Sequence, residues 1–153
     1  MINKTDLDEI EKEIRGFFEK MTIIFEIDPL SQKDETLNVN LRAEEPQFLI
    51  GERGQTLQEI QHILKIILKR KIPEIIFLNL DINDYKKKKN NYLTELAKSV
   101  ADEVVLSKKE KILPPMPAYE RRIIHLELAE RKNVTSESIG QEPERRVVIK
   151  PYP

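Results

Sequence analysis

The sequence predicts an α+β protein built from two small successive domains. Segments with apolar residues every three or four positions, typical of amphipathic helices, alternate with short apolar runs typical of strands. A length of 153 residues suits one compact domain or two small ones. The 39% hydrophobic content supports a buried core, and the 35% charged content indicates a well-solvated surface.

Composition excludes several classes of protein. The chain has no cysteine, which excludes disulfides, zinc–thiolate sites and thiol catalysis. No apolar stretch approaches the roughly 20 residues that a membrane-spanning helix needs. Residues 1–6 are polar and acidic, without the apolar core of a signal peptide, so we expect a cytoplasmic location.

The net charge of −1 is unevenly distributed along the chain. Residues 1–50 carry 6 Lys/Arg against 12 Asp/Glu, whereas residues 51–153 carry 20 against 15. Basic residues are therefore concentrated in the second part, where we expect a polyanion to bind. The modest size of this excess is typical of weak or shape-dependent RNA binding.

The first elements are predicted to be a helix and a β-hairpin. Residues 6–20 have helical periodicity, with Thr5 as the expected N-cap. Residues 21–28 are rich in β-branched and aromatic side chains and predict a strand, and residues 29–34 predict a turn. Residues 36–42 alternate strictly between apolar and polar, which predicts a strand with one solvated face.

A glycine loop lies between the next two predicted helices. Residues 46–50 predict a short helix, Gly51-Glu52-Arg53-Gly54 follows, and residues 55–71 predict a long amphipathic helix. We expect Ile63 and Ile66 to widen the apolar face of that helix. Glycine permits a sharp turn and a close approach, and the first N–H groups of a helix attract phosphate. The unit is therefore a candidate clamp for a phosphate backbone.

Residues 75–80 predict a buried strand, which completes the order α-β-β-α-α-β. That order, with the glycine loop in it, resembles the type II KH domain over residues 1–82. The string from Phe48 to Gln58 resembles the bacterial Jag family (SpoIIIJ-associated proteins, also called KhpB). The resemblance departs at Glu52, where many such loops carry a basic residue, because a carboxylate repels phosphate.

The KH resemblance implies a clamp for single-stranded RNA, with the bases lying along an apolar groove between the helix 55–71 and the strand 36–42. The implied contacts are Gly51, Glu52, Arg53, Gly54, Gln55 and Thr56.

The second half predicts a long helix, a second helix and a hairpin. Four lysines, residues 86–89, begin the long helix, and they fit a solvated helix turn or supporting phosphate contacts. Residues 108–111 predict a charged turn, and the prolines in residues 112–117 predict extended or irregular backbone. Pro117 suits the start of the next helix. The hairpin is predicted as strands 134–138 and 145–150, with a loop around Gly140.

Arg121 and His125 are four residues apart, so they lie on one face of the predicted helix. Arg-x-x-x-His is the signature of the R-3-H domain, a module that binds single-stranded nucleic acid, and the surrounding residues 116–126 resemble the Jag version. The resemblance implies an R-3-H domain over residues 83–153. The implied nucleic-acid contacts are Arg121, Arg122, His125 and Arg146.

Spacing alone leaves alternatives open for these side chains. Arg121 and His125 also fit a structural pair that ties the helix to a sheet. Arg122 fits either a phosphate contact or a salt bridge to Glu103 or Glu127. Arg145 and Arg146 are predicted on one strand with side chains on opposite faces, so at most one of them shares a face with His125.

The expected function is non-catalytic binding of single-stranded RNA, or of single-stranded DNA. The sequence has no Ser/His/Asp arrangement, metal-ligand cluster or phosphate-binding loop of an enzyme, so we expect no catalysis, metal or cofactor. The Jag resemblance implies a post-transcriptional regulator or RNA chaperone linked to cell elongation and envelope growth, with a small single-KH-domain protein or a second copy of the chain as further candidate partners. The alternative is a protein scaffold that uses the KH fold as a docking surface.

Overall fold

The computed structural model describes residues 1–75 and 77–153, and it confirms the predicted mixed α+β class. In chain order the elements are α1 (Lys4–Glu19), β1 (Phe25–Ile27), β2 (Ser31–Lys33), β3 (Thr36–Ala43), α2 (Gln47–Ile50), a 3₁₀ turn (Glu52–Gly54), α3 (Gln55–Lys71), β4 (Phe77–Ile82), α4 (Tyr85–Ser107), β5 (Lys111–Ile112), α5 (Ala118–Leu128), β6 (Val134–Ile139) and β7 (Arg146–Pro151). The chain divides into two compact units, Met1–Lys86 and Lys87–Pro153. Within the described residues, no helix combines the length and the apolar content needed to cross a membrane.

Strand β3 is the centre of the first unit. Strands β1 and β2 pair with it antiparallel on one side, and β4 pairs with it parallel on the other. The register places alternate apolar residues of β3 and β4 on the same face, where they are buried with the apolar sides of α1 and α3. Strand β4 is therefore an edge strand that lies beside α3.

The predicted strand 21–28 and turn 29–34 are both partly wrong. Only Phe25–Ile27 is extended, and Ser31–Lys33, inside the predicted turn, forms a second short strand on β3. Three residues of this segment, 28–30, lie opposite only two of β3, so a bulge interrupts the ladder. Pro29 lies in the bulge and has no N–H to donate, which explains why pairing stops there and resumes.

Two expectations for the helices are corrected. Asn3, rather than Thr5, caps α1, because its side chain accepts a hydrogen bond from the Asp6 N–H at 2.8 Å. Ile63 and Ile66 do not extend the buried face of α3, since they are 47% and 48% exposed.

The predicted strand 75–80 is shifted by two residues, to Phe77–Ile82. Ile75 is buried but precedes the strand, and Ile76 lies outside the described residues. The shift exposes Phe77 at the start of the strand, where the unbroken apolar run predicted a buried residue.

The second unit contains a sheet in which β7 lies between β5 and β6, both antiparallel to it. The predicted hairpin is found, but Arg145 precedes the strand rather than lying in it. Lys111, predicted in a turn, and Ile112, predicted as extended or irregular chain, form the edge strand β5. The core is built from α4, α5 and alternate residues of the sheet.

Two positions of α3, two residues apart, test which face of this helix is buried in the core of the first unit. Leu64→Ala empties a site that is 1% exposed and is expected to lower the free energy of unfolding by about 2–5 kcal/mol. Ile66→Ala, at a half-exposed position, is expected to change it by roughly 0.5 kcal/mol or less. Urea unfolding followed by circular dichroism measures both. Equal losses for the two variants would contradict the orientation of α3.

Candidate nucleic-acid interface

The glycine loop has a backbone that only particular residues tolerate. Gly51, Arg53 and Gly54 all have positive φ, at 71°, 53° and 77°. A Cβ on Gly51 would overlap the side chain of Thr56, and a Cβ on Gly54 would lie 2.9 Å from Cε1 of Tyr85. Both glycines are therefore required by the packing of the loop itself, independently of any ligand.

The side chains between and directly after the two glycines are mostly exposed, so they are available to a ligand. Glu52, Arg53 and Gln55 are exposed, whereas Thr56 is half-buried against Gly51. Helix α3 begins directly after Gly54 and has no side-chain cap. Its N-terminus therefore carries a partial positive charge that no side chain of the helix offsets. The loop thus combines an exposed cation, an exposed carboxylate and a helix N-terminus.

A groove of about 740 Å³ begins at Gln55, the first residue of α3 after the loop, and runs between α3 and the edge strand β4. The sequence predicted the groove beside the strand 36–42, but that strand is β3, which is central in the sheet and has neighbours on both sides. The lining residues are Gln55, Gln58, Glu59, Gln61, His62, Ile63, Lys65, Phe77 and Leu78. The groove is therefore mostly polar along α3 and apolar at its far end.

Hydrogen bonds hold the polar wall of the groove in place. Gln61 Oε1 accepts from the backbone N–H of Leu80 at 3.0 Å and from Lys86 Nζ at 2.6 Å. Lys86 Nζ also donates to Asn79 Oδ1 at 3.1 Å. Burial lowers the pKa of Lys86, and the charge of Asp81 partly opposes this shift. The bonds tie α3 to the free edge of β4 and to the start of α4.

In the second unit Arg121 is buried, with 7% of its surface exposed. Its Nη1 donates to Glu142 Oε1 at 2.8 Å and to the carbonyl of Met116 at 3.3 Å. It therefore ties α5 to the segments on both sides of it. This is the structural alternative that spacing left open, and it leaves the guanidinium without a broad free surface.

His125 ties the same helix to the sheet. Its Nδ1 lies 2.8 Å from Ser136 Oγ and its Nε2 lies 2.8 Å from Ser138 Oγ. The two serines are two residues apart on β6, so both face α5. Burial lowers the pKa of His125 from its ordinary value of 6.5, and the positive charge of Arg121 lowers it further. The imidazole is therefore neutral at pH 7, with one nitrogen donating and the other accepting.

Arg122 and Arg146 are placed differently from these two. Arg122 is exposed, and both salt bridges considered for it are made by other residues, since Lys111 pairs with Glu103 and Lys98 with Glu127. Arg146 pairs in register with Ile139, on the face of the sheet opposite Ser136 and Ser138. The structure therefore does not bring Arg146 together with His125.

Sequence reasoning missed several residues beside His125. A cavity of about 840 Å³ lies between the end of α5 and the edge strand β6, and it is lined by His125, Leu128, Ala129, Arg131, Lys132, Val134, Thr135, Ser136, Glu137, Ser138 and Tyr152. Lys132 and Tyr152 are exposed there, whereas Arg131 is engaged with Asp102 at 2.5 Å. Of these residues, only Ser136 and Ser138 had a pattern in the sequence that could have placed them together, because residues two apart on a strand face the same side.

The second unit is an R-3-H domain. Residues 91–151 match the family model of that domain, and the geometry above accounts for the two residues of its signature. The Arg and His side chains lie one turn apart on α5 and hold that helix against the rest of the unit.

The chain is similar to KhpB proteins over most of its length, which confirms the predicted resemblance to the Jag family. It is 37% identical over 119 residues to the RNA-binding protein KhpB of Clostridium symbiosum, covering 78% of this chain and 54% of that protein. It is 32% identical over 122 residues to the RNA-binding protein KhpB of Bacillus subtilis (strain 168), covering 78% and 59%. The chain thus spans little more than half the length of these two relatives.

Glycine substitutions test the packing of the loop. Gly54→Ala is expected to destabilise the first unit by about 1–2 kcal/mol from left-handed backbone strain alone, with the Tyr85 contact adding to the loss. Gly16→Ala is the matched control, because no atom lies within 4 Å of the added Cβ in helix α1. The control is expected to stabilise by roughly 0.5–1 kcal/mol. Shifts of the urea midpoint in opposite directions for the two variants support the geometry. An unchanged midpoint for Gly54→Ala contradicts it.

The shifted pKa of His125 predicts a pH dependence of stability. The unfolded chain takes up a proton near pH 6.5, whereas folded His125 takes it up only at lower pH. Stability of the second unit is therefore fully present above pH 6.5 and decreases as the pH falls from there towards the lowered pKa. Imidazole NMR measures the pKa directly. The chain has 2 histidines, so His125→Gln assigns the signal. A midpoint at or above 6.5 would refute the prediction.

Proposed function

We propose that this protein binds single-stranded RNA without catalysis, and that its first unit is a type II KH domain. The observation that carries the proposal is that the groove beside β4 begins at Gln55, the residue that directly follows the exposed loop Glu52–Gly54. In KH domains such a loop clamps about four backbone nucleotides. The phosphates lie against Arg53 and the start of α3, and the bases lie in the groove.

The roles of the loop residues differ in this proposal. Gly51 and Gly54 shape the turn, Arg53 supplies the cation, and Gln55 and Thr56 present the first turn of α3. Glu52 opposes phosphate by charge repulsion. The loop is thus a weak clamp that needs a second contact, which fits the modest basic excess of the chain.

The second contact is assigned to the R-3-H unit. Arg121 and His125 act as positioning residues there, since both are engaged in holding α5 in place. The exposed groups that meet nucleic acid are Arg122 on α5 and the side chains of Lys132 and Tyr152. Arg146 contributes only from the other face of the sheet. Two weak contacts on one strand raise the apparent affinity through effective concentration.

Fluorescence anisotropy with labelled single-stranded RNA pools, repeated over a salt series, tests the proposal. Arg53→Asn removes the cation and keeps a residue that tolerates left-handed φ. It is expected to weaken binding and to reduce the slope of log K against log salt by roughly 0.7. Glu52→Gln is expected to strengthen binding, because it removes a like charge from the phosphate site.

Lys33→Asn is the matched control for Arg53→Asn. It removes one exposed positive charge from β2, on the side of the sheet away from the groove. It is expected to leave both affinity and salt slope near the native values. RNA binding is refuted for this chain if the native protein shows no salt-sensitive affinity for any pool. The loop assignment alone fails if Lys33→Asn and Arg53→Asn weaken binding equally.

A protein partner is the second candidate function, and Ile63 and Ile66 are the observation that favours it. Both are about half exposed, and they are three residues apart on α3, so they are neighbours on the surface of that helix. A small single-KH-domain protein or a second copy of this chain are the proposed occupants. A cytoplasmic location is a further proposal. The Jag resemblance supports another, a role in cell elongation and envelope growth as a regulator or RNA chaperone.

A further inference from the structure

Phe77 is an exposed aromatic residue at the start of strand β4. It is the first residue of β4, its side chain is 53% exposed, and it lines the far end of the groove. The neighbouring residue Leu78 is buried in the core, since it faces the opposite side of the strand. The ring is therefore outside the core and available at the wall of the groove.

A lysine side chain lies over the Phe77 ring. Lys65 Nζ, from helix α3, lies 5.4 Å from the centroid of the Phe77 ring. Lys65 takes part in none of the salt bridges found among the described residues, so its charge is not neutralised by a carboxylate. The ammonium lies over one face of a ring that is 53% exposed. Such a pair suits single-stranded nucleic acid, because the ring stacks on a base through its exposed surface and the cation meets a phosphate.

Phe77 and Lys65 lie at the opposite end of the groove from the glycine loop. Gln55, which follows the loop, and Lys65 both line the groove and are ten residues apart on α3, which corresponds to about 15 Å along the helix axis. The ring therefore lies at the end of the groove away from the phosphate clamp. It is in the path of a strand that enters at the loop and continues along β4.

We propose that Phe77 is a stacking platform for one base of the bound strand, and that Lys65 contacts the phosphate next to that base. This inference rests on the proposed RNA-binding function and adds a specificity determinant to it. Stacking accepts any base but favours an unpaired one, so the platform selects single-stranded over double-stranded RNA at this end of the groove.

The absence of tryptophan from the chain allows a direct test. Phe77→Trp keeps an aromatic platform and introduces a single tryptophan, whose emission responds to a stacked base. The proposal expects this emission to change on addition of short single-stranded RNA and to remain unchanged with duplex RNA of the same length. It also expects Phe77→Ala to raise the Kd by about 5- to 150-fold, the range found for loss of one base stack. Phe77→Tyr is expected to retain native affinity.

Tyr92 provides the matched control. It is 59% exposed, and Lys89 Nζ lies 5.8 Å from its ring centroid, yet it is on α4 outside the groove. Tyr92→Ala is expected to leave the Kd within about twofold of native. Circular dichroism checks that each variant is folded.

The outcomes separate this inference from the proposed function. If the native protein binds RNA but Phe77→Ala binds equally well and the tryptophan at position 77 does not respond, the platform is refuted and RNA binding stands. If Phe77→Leu binds as tightly as Phe77→Tyr, the contact is apolar rather than stacking, and the platform is again refuted. If the native chain binds no RNA at all, both proposals fall.

Discussion

The parallel pairing of β3 with β4 is the constraint on which the first unit depends. Parallel neighbours cannot be joined by a tight turn, so the chain must cross over the sheet between them. The crossover here contains α2, the glycine loop and α3, and it returns the chain to the free side of β3. The loop and the groove are therefore consequences of one pairing: α3 lies beside β4, and the gap between them is the groove.

Backbone strain at the loop follows from that crossover. The chain passes from α2 to α3 within four residues, and three of those residues adopt positive φ. Gly51 must leave room for Thr56, and Gly54 must leave room for Tyr85, which begins α4. The same glycines that suit the approach of a phosphate backbone are thus already needed for packing. A ligand-binding role has to be assigned to the exposed residues between and after them.

The second unit illustrates how a signature can be structural as well as functional. Arg121 and His125 both make their hydrogen bonds within the unit, to Glu142 and to the serines of β6. Glu120, beside them on α5, is also buried, and Lys89 Nζ lies 3.7 Å from its Oε1. One helix thus carries several polar side chains directed inward, and their burial is costly unless they are hydrogen-bonded or paired, as Arg121 and His125 are. The exposed side chains of Lys132 and Tyr152 at the cavity belong to the unit that these bonds hold together.

Local pattern determined the mixed class, the long helices, the glycine loop and the spacing of Arg121 and His125, because periodicity and glycine content are properties of neighbouring residues. Tertiary structure alone decided which side chains are free. Phe77 stands in an apolar run that predicts burial, yet strand β4 begins there and turns it outward. Arg121 has the positive charge needed to bind a phosphate, yet its guanidinium donates to Glu142, which is twenty-one residues away in the chain. Such outcomes depend on which distant segment lies alongside, and a single sequence does not contain that information in its local pattern.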